Sequence, residues 1–185
     1  MASYREFRRT GILVSVGALV LTCGCRQATE QPGTGSPAND AAPQIGDVSP
    51  IGGTGRAQAF RVVASHPAGA TAIVDVQVLI DEKLTATGSG ACWFDVNSLK
   101  SVAVRKEDGS GWLPSLRIGS AGTAVSSKCS IDAGAVKVET KGTELAVTIP
   151  VTFAATFKGA KKIWVVASGP SNHSGWKERG TWTVD

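Results

Sequence analysis

Between Ala72 and Asp81 the chain alternates: Val74, Val76, Val78 and Ile80 fall on one side, Asp75 and Gln77 on the other. A period of two residues is the pattern of a strand with one buried face. Glu144–Phe153 repeats it, with Leu145, Val147, Ile149, Val151 and Phe153 inward and Glu144, Thr148 and Thr152 outward. Pro150 faces outward, lacks an amide hydrogen, and suits an edge or a bulge. Shorter runs read the same way: Phe60, Val62 and Ala64; Cys92, Phe94 and Val96; Val102 and Val104; Val136 and Val138; Trp182 and Val184. Ile163–Ala167 is apolar on both faces, as expected of a central strand covered on both sides or carrying Trp164 against the edge of a far sheet. Turn formers separate the runs: His66-Pro67-Ala68-Gly69, Asp108-Gly109-Ser110-Gly111, Lys141-Gly142, Lys158-Gly159 and Ser168-Gly169-Pro170. About nine short strands with no helical period between them predict an all-β, antiparallel β-sandwich; a closed barrel, which also buries every second residue, is the alternative.

The N-terminal stretch follows a different pattern. Met1–Arg9 is basic and Gly11–Thr22 is apolar but too short for a permanent membrane span, which together make an export signal. Arg26 to Gly55 is rich in Gly, Pro, Ser, Ala and Thr, with too few large apolar side chains to offset the entropy of ordering, and reads as a flexible, disordered linker. The expected organisation is therefore 1–24 signal peptide, 25–55 linker and 56–185 sandwich domain.

The signal ends in Thr22-Cys23-Gly24-Cys25, which resembles the lipobox of bacterial lipoproteins, where a small residue precedes the cysteine that receives diacylglycerol. The resemblance implies lipidation at Cys25, whose neighbour Gly24 is small. Cys23 is the alternative, because Thr22 stands where the family usually has Leu. It also implies a membrane partner through the lipid anchor and a place in the cell envelope, facing the periplasm or the cell surface. A plain secretory signal with two incidental cysteines is the competing reading. Arg8-Arg9 matches the twin-arginine route only weakly, so Sec and Tat export both stay open.

The formal charge of +4 falls to +2 once Arg5, Arg8, Arg9 and Glu6 leave with the signal. The remaining cations are scattered, with only Lys158, Lys161 and Lys162 close together, so no stripe fits a nucleic-acid backbone. Those three lysines read as a solvated turn before a strand.

Within the domain, Cys92 and Cys129 remain once the signal cysteines are set aside, and an even count in an oxidising compartment predicts a disulfide. Closing that loop removes roughly 4 kcal/mol of stability from the unfolded chain on the chain-entropy estimate. Neither cysteine has the C-x-x-C spacing of a redox or metal site.

Candidate chemistry is sparse. His66 adjoins a Pro-Gly turn and His173 lies in a Ser-Asn-His-Ser-Gly loop; both read as solvated, and neither has the spacing of a zinc pair. Asp81-Glu82 and Glu107-Asp108 are the calcium candidates and read as solvated turn acids. Gly52-Gly53-Thr54-Gly55 lacks the lysine and helix of a phosphate loop and reads as linker. No metal, cofactor or catalytic set is expected. Of the five tryptophans, Trp164 and Trp182 read as core and Trp93 as able to face outward, while Trp112 and Trp176, beside glycines in or near loops, are the candidate binding residues.

Taken in order, Phe60–Gly69, Val76–Ile80, Ala91-Cys92-Trp93-Phe94-Asp95, Ser127-Lys128-Cys129-Ser130, Leu145–Phe153 and Ser174-Gly175-Trp176 through Gly180-Thr181-Trp182-Thr183-Val184 are similar to an immunoglobulin-like module of secreted and surface proteins of Acidobacteria and related soil bacteria. That resemblance covers nearly all of 56–185 and implies an immunoglobulin-like sandwich with Cys92 paired to Cys129. It departs at His66, where an Asp often occurs, and at Trp93-Phe94, which replaces a more usual Tyr-bearing segment. The expected function is a non-enzymatic, envelope-anchored structural or interaction module, whose partner is an envelope protein or a glycan. The alternatives are a carbohydrate- or peptide-binding lipoprotein using its loop tryptophans, and a small secreted enzyme.

Overall fold

The computed structural model describes residues 40–185. Two antiparallel sheets pack face to face. The first takes the order β1 (Gln44–Ser49), β2 (Ala57–Ser65), β10 (Glu144–Phe153), β8 (Cys129–Asp132) and β7 (Thr123–Val125), with β9 (Lys137–Lys141) also paired to β10. The second runs β12 (Lys177–Val184), β11 (Gly159–Ser168), β3 (Asp75–Asp81), β4 (Cys92–Asn97), β5 (Ser101–Val104) and β6 (Leu116–Arg117). An all-β sandwich is thus the architecture.

Alternation decides what lies between the layers. All five inward positions expected on β10 are buried, and Phe60, Val62 and Ala64 of β2 join them. From the other sheet come Val76, Val78 and Ile80 of β3, Phe94 and Val96 of β4, and Ile163 and Val165 of β11. Val74 does not belong to this set: it precedes the first residue of β3 and stays exposed. Cys92 and Cys129 form a disulfide from β4 to β8, so a covalent bridge crosses from one sheet to the other.

Pro150 sits inside β10, a strand paired on both edges, and the pairing explains how it is tolerated. Along one edge β10 pairs with β9 as far as Thr148 and with β8 only from Val151. Phe153 donates its amide toward the β2 side, to Arg56 O at 2.7 Å. Amides alternate along a strand, so position 150 points to the opposite edge, into the gap between β9 and β8, where no donor is needed.

The expected disordered linker up to Gly55 is corrected by the structure. Gln44–Ser49 pairs with β2, burying Ile45 and Val48, and after the cis Ser49–Pro50 bond the chain moves to the other sheet. There Thr181 N–H bonds Ile51 O, Thr183 N–H bonds Gly53 O and Gly55 N–H bonds Thr183 O, each at 2.9 Å, along the outer edge of β12. Gly52-Gly53-Thr54-Gly55 is therefore part of the fold. A Cβ at Gly53 would collide with the Trp182 ring, and one at Gly180 with the Ile51 backbone, so two glycines permit this approach. Cys23, Cys25, the signal segment and the first part of the linker lie outside the described residues.

Candidate functional site

The outward face of the second sheet concentrates the side chains with chemistry. Its register is read across the strands in rows. Trp164 on β11 pairs with Leu79 on β3 and Leu79 with Trp93 on β4, while Arg105 just beyond β5 donates its amide to Trp93 O at 2.8 Å. The next row is Val166, Gln77, Asp95 and Ala103, and the one after it Ser168, Asp75, Asn97 and Ser101. Because Cys92 points into the core, alternation turns Trp93 to this outer face.

Trp93 is nonetheless buried, at 8% exposure, because other rings cover it. Trp112 and Trp176 each stand edge-to-face on it with centroids 5.5 Å away. Gly88 lies so close beneath that any Cβ would overlap the indole. Trp93 Nε1 donates to Gln77 Oε1 at 3.1 Å. The Arg105 guanidinium lies 4.7 Å from the Trp93 centroid and 5.2 Å from that of Trp112, and its Nη2 donates to Gly109 O at 2.7 Å. A guanidinium over an indole is a favourable electrostatic contact. The two loop tryptophans singled out from sequence thus meet the same ring and remain half-buried, neither enclosed nor fully open. Trp164 is buried in this outer cluster, and Trp182 is buried in the main core as expected.

Above Trp93, Asp95 is buried to 6% exposure and its Oδ1 has no hydrogen-bond partner. Burial, reinforced by the neighbouring Asp75 charge, raises its pKa from 3.8 to about 7, against a smaller opposing pull from the Asn97 side chain. Asp75 Oδ1 accepts from Ser168 Oγ at 3.0 Å. Sequence reasoning missed Asp95, Gln77 and Arg105; the available signal was their shared outward parity with Trp93.

Other candidates are placed differently. His66 is fully buried, which corrects its expected solvation: Nδ1 accepts the Ala68 amide at 3.1 Å, so Nε2 carries the proton donated to Ala41 O at 2.9 Å. It is a structural tie for the N-terminal chain. His173 is exposed, as expected, and accepts the Gly175 amide. Glu82 pairs with Lys161 at 3.2 Å and Glu107 with Lys128 at 3.3 Å, so one acid of each calcium-candidate pair engages a lysine of the protein itself. Glu107 and Asp108 have lowered pKa values, through the side chains of Ser127 and Lys128 for the first and the Ser110 backbone and side chain for the second. Lys161 is buried, its ammonium 4.5 Å from the Phe157 centroid, which corrects its reading as part of a solvated turn. Among the described residues no helix is long and apolar enough to cross a membrane. No protein-family model, curated protein or solved structure matches the chain.

Proposed function

We propose that the protein is an envelope-anchored lipoprotein, attached through Cys25, that displays a non-enzymatic immunoglobulin-like module. Support for the anchor is the basic and apolar leader ending at the Gly24-Cys25 step. Support for the immunoglobulin-like class is the strand order. With β1, β2 and β3 as A, B and C, β4 and β5 as C′ and C″, β8 as D, and β10, β11 and β12 as E, F and G, the sheets contain the variable-type orders ABED and GFCC′C″, to which β7 and β9 are added in the first sheet and β6 in the second. The disulfide departs from that type by joining C′ to D in place of B to F. Substitution of Cys25 by Ala is expected to move the protein from the membrane to the soluble fraction and abolish labelling by fatty acid. Retention of both properties in that variant, with their loss on Cys23→Ala, would shift the anchor to Cys23.

The observation that favours an interaction role over a purely structural one is the convergence of Trp112 and Trp176 on Trp93, outside the core, with both outer rings half-open. Aromatic rings fixed beside polar groups suit stacking on a carbohydrate or on a peptide. Pull-down from isolated envelopes tests this: wild type is expected to recover a partner that the Trp112→Ala/Trp176→Ala variant loses. Identical recovery removes the aromatic face from the account.

A further inference from the structure

The chain enters the domain at one end of the sandwich. Ala41 O accepts from His66 Nε2 at 2.9 Å and Asp40 O from the Asn172 side chain. His66 packs beside Gly169, and the neighbouring Ser168 O accepts the Val74 amide at 2.8 Å. Val74 O in turn accepts the Ser98 amide at 2.6 Å, so the entering chain and the turn between β4 and β5 share that end.

That turn has two features the fold alone does not require. Ser98 and Leu99 have φ of 48° and 55°, the left-handed region that tight hairpins ordinarily fill with Asn and Gly, and among the described residues they are the non-glycines of positive φ. A leucine held there is strained backbone, of the kind that persists where function fixes a side chain in place. Leu99 and Lys100 also line two clefts at once. One, of about 440 Å³, lies against Val74; the other, of about 660 Å³, is lined by Lys100 and Arg117 together, with Ile118 and the hydroxyls of Ser101 and Ser115. Both volumes are those of ligand sites. Lys100 and Arg117 are the charged residues of the two linings, no acid joins them there, and neither makes a salt bridge among the described residues. Beside them Val74 is 38% exposed and Leu99 half-buried. Unpaired positive charge next to open apolar side chains suits the headgroup layer of an anionic bilayer.

On the reading of Cys25 as the lipid anchor, on which this rests, we propose that this corner is the membrane-contacting end of the domain: Lys100 and Arg117 meet the phosphates of anionic phospholipid, and Val74 and Leu99 face the acyl boundary. Residues 26–39 are the chain between that cysteine and Asp40, and even fully extended they span no more than about 50 Å. The tether enters at the end that carries the clefts, so the contact is intramolecular and two cations suffice to bias it. Val74, which alternation marks for the core and the fold leaves exposed, then meets lipid in place of water.

Full-length protein carrying a bimane probe on Val74→Cys, or on Ser110→Cys at the far end of β5, is reconstituted into vesicles whose lipids bear a bromine quencher just below the headgroup. With phosphatidylglycerol in the vesicles, the probe at position 74 should be quenched several-fold more than the probe at position 110. That excess should be lost in phosphatidylcholine alone and in Lys100→Glu/Arg117→Glu, whose melting temperature should match wild type; an excess that survives in either overturns the proposal. Inorganic phosphate at matched ionic strength should leave the excess unchanged, whereas its loss to phosphate assigns the cleft to a free anion and overturns the membrane contact. Equal quenching of the two probes in protein that floats with the vesicles keeps the anchor and overturns this contact alone. Protein that does not float at all fails at the anchor, and the contact falls with it.

Discussion

Trp182 donates its indole N–H to the Gly55 carbonyl oxygen at 2.8 Å, and the ring so held is covered by the backbone of Gly53. The same ring stands edge-to-face on Phe60 of the opposite sheet, with centroids 5.4 Å apart. A segment with linker composition thus closes one end of the core. The N-terminal chain also covers the outer edge of β12 and adds β1 beside β2, leaving fewer unpaired backbone groups on both sheets.

A chain begun at Arg56, where the composition changes, is expected to be far less stable than one begun at Asp40. It loses the burial of Ile45 and Val48, each worth about 1.5–3 kcal/mol, together with the edge hydrogen bonds of Ile51–Gly55. Thermal melts followed by circular dichroism, comparing the two starts and Gly53→Ala in the full chain, measure the difference. Equal melting temperatures for the two starts would show that the segment adds nothing.

The Cys92–Cys129 bridge spans 37 positions of sequence and crosses between the sheets. Replacing both cysteines by alanine should lower the unfolding free energy by about 4 kcal/mol, the chain-entropy value for a loop of that size. Urea unfolding of the oxidised protein against the double variant provides the number.

The parts of the fold legible in the sequence are those fixed by side-chain burial. Leu145 to Phe153 and Val76 to Ile80 alternate because water is excluded from one face, and the structure buries the residues so marked. Gln44–Ser49 and Ile51–Gly55 were not legible, because backbone hydrogen bonds and glycine-permitted contacts hold much of them, and composition reports neither. His66 carries the same lesson, since a Pro-Gly turn looks solvated until the chain from Ala41 folds over it. At the candidate site, glycine-flanked Trp112 and Trp176 were found, but Arg105 and Asp95 acquire their surroundings only once β4 and β5 pair.

Asp95 predicts a pH dependence of stability. Its folded pKa, about 7, lies above its ordinary value of 3.8, so between those values the folded state binds more protons than the unfolded. The stability it contributes is complete below about pH 4, declines as pH rises toward 7, and is gone above. A shift of this size corresponds to about 4 kcal/mol. Asp95→Asn should remove that decline and exceed wild type at pH 8, as read from urea midpoints across the range. A wild-type curve rising from pH 4 to pH 8, unchanged in the variant, would refute the assignment.

The aromatic face divides into a ring that holds structure and rings free to meet a partner. Trp93 is buried beneath Trp112, Trp176 and Arg105, so Trp93→Ala leaves a cavity and takes the indole donor from Gln77 Oε1. It should cost about 3–5 kcal/mol, as large aromatic truncations do. Trp112 and Trp176 are half-open, and truncating either gives up only part of its burial, about 1–2 kcal/mol on area grounds. Urea unfolding of the three single variants should rank Trp93 well apart from the other two. Equal costs at all three positions would make the cluster a minor core, whereas the expected order leaves two indoles that stability alone does not explain.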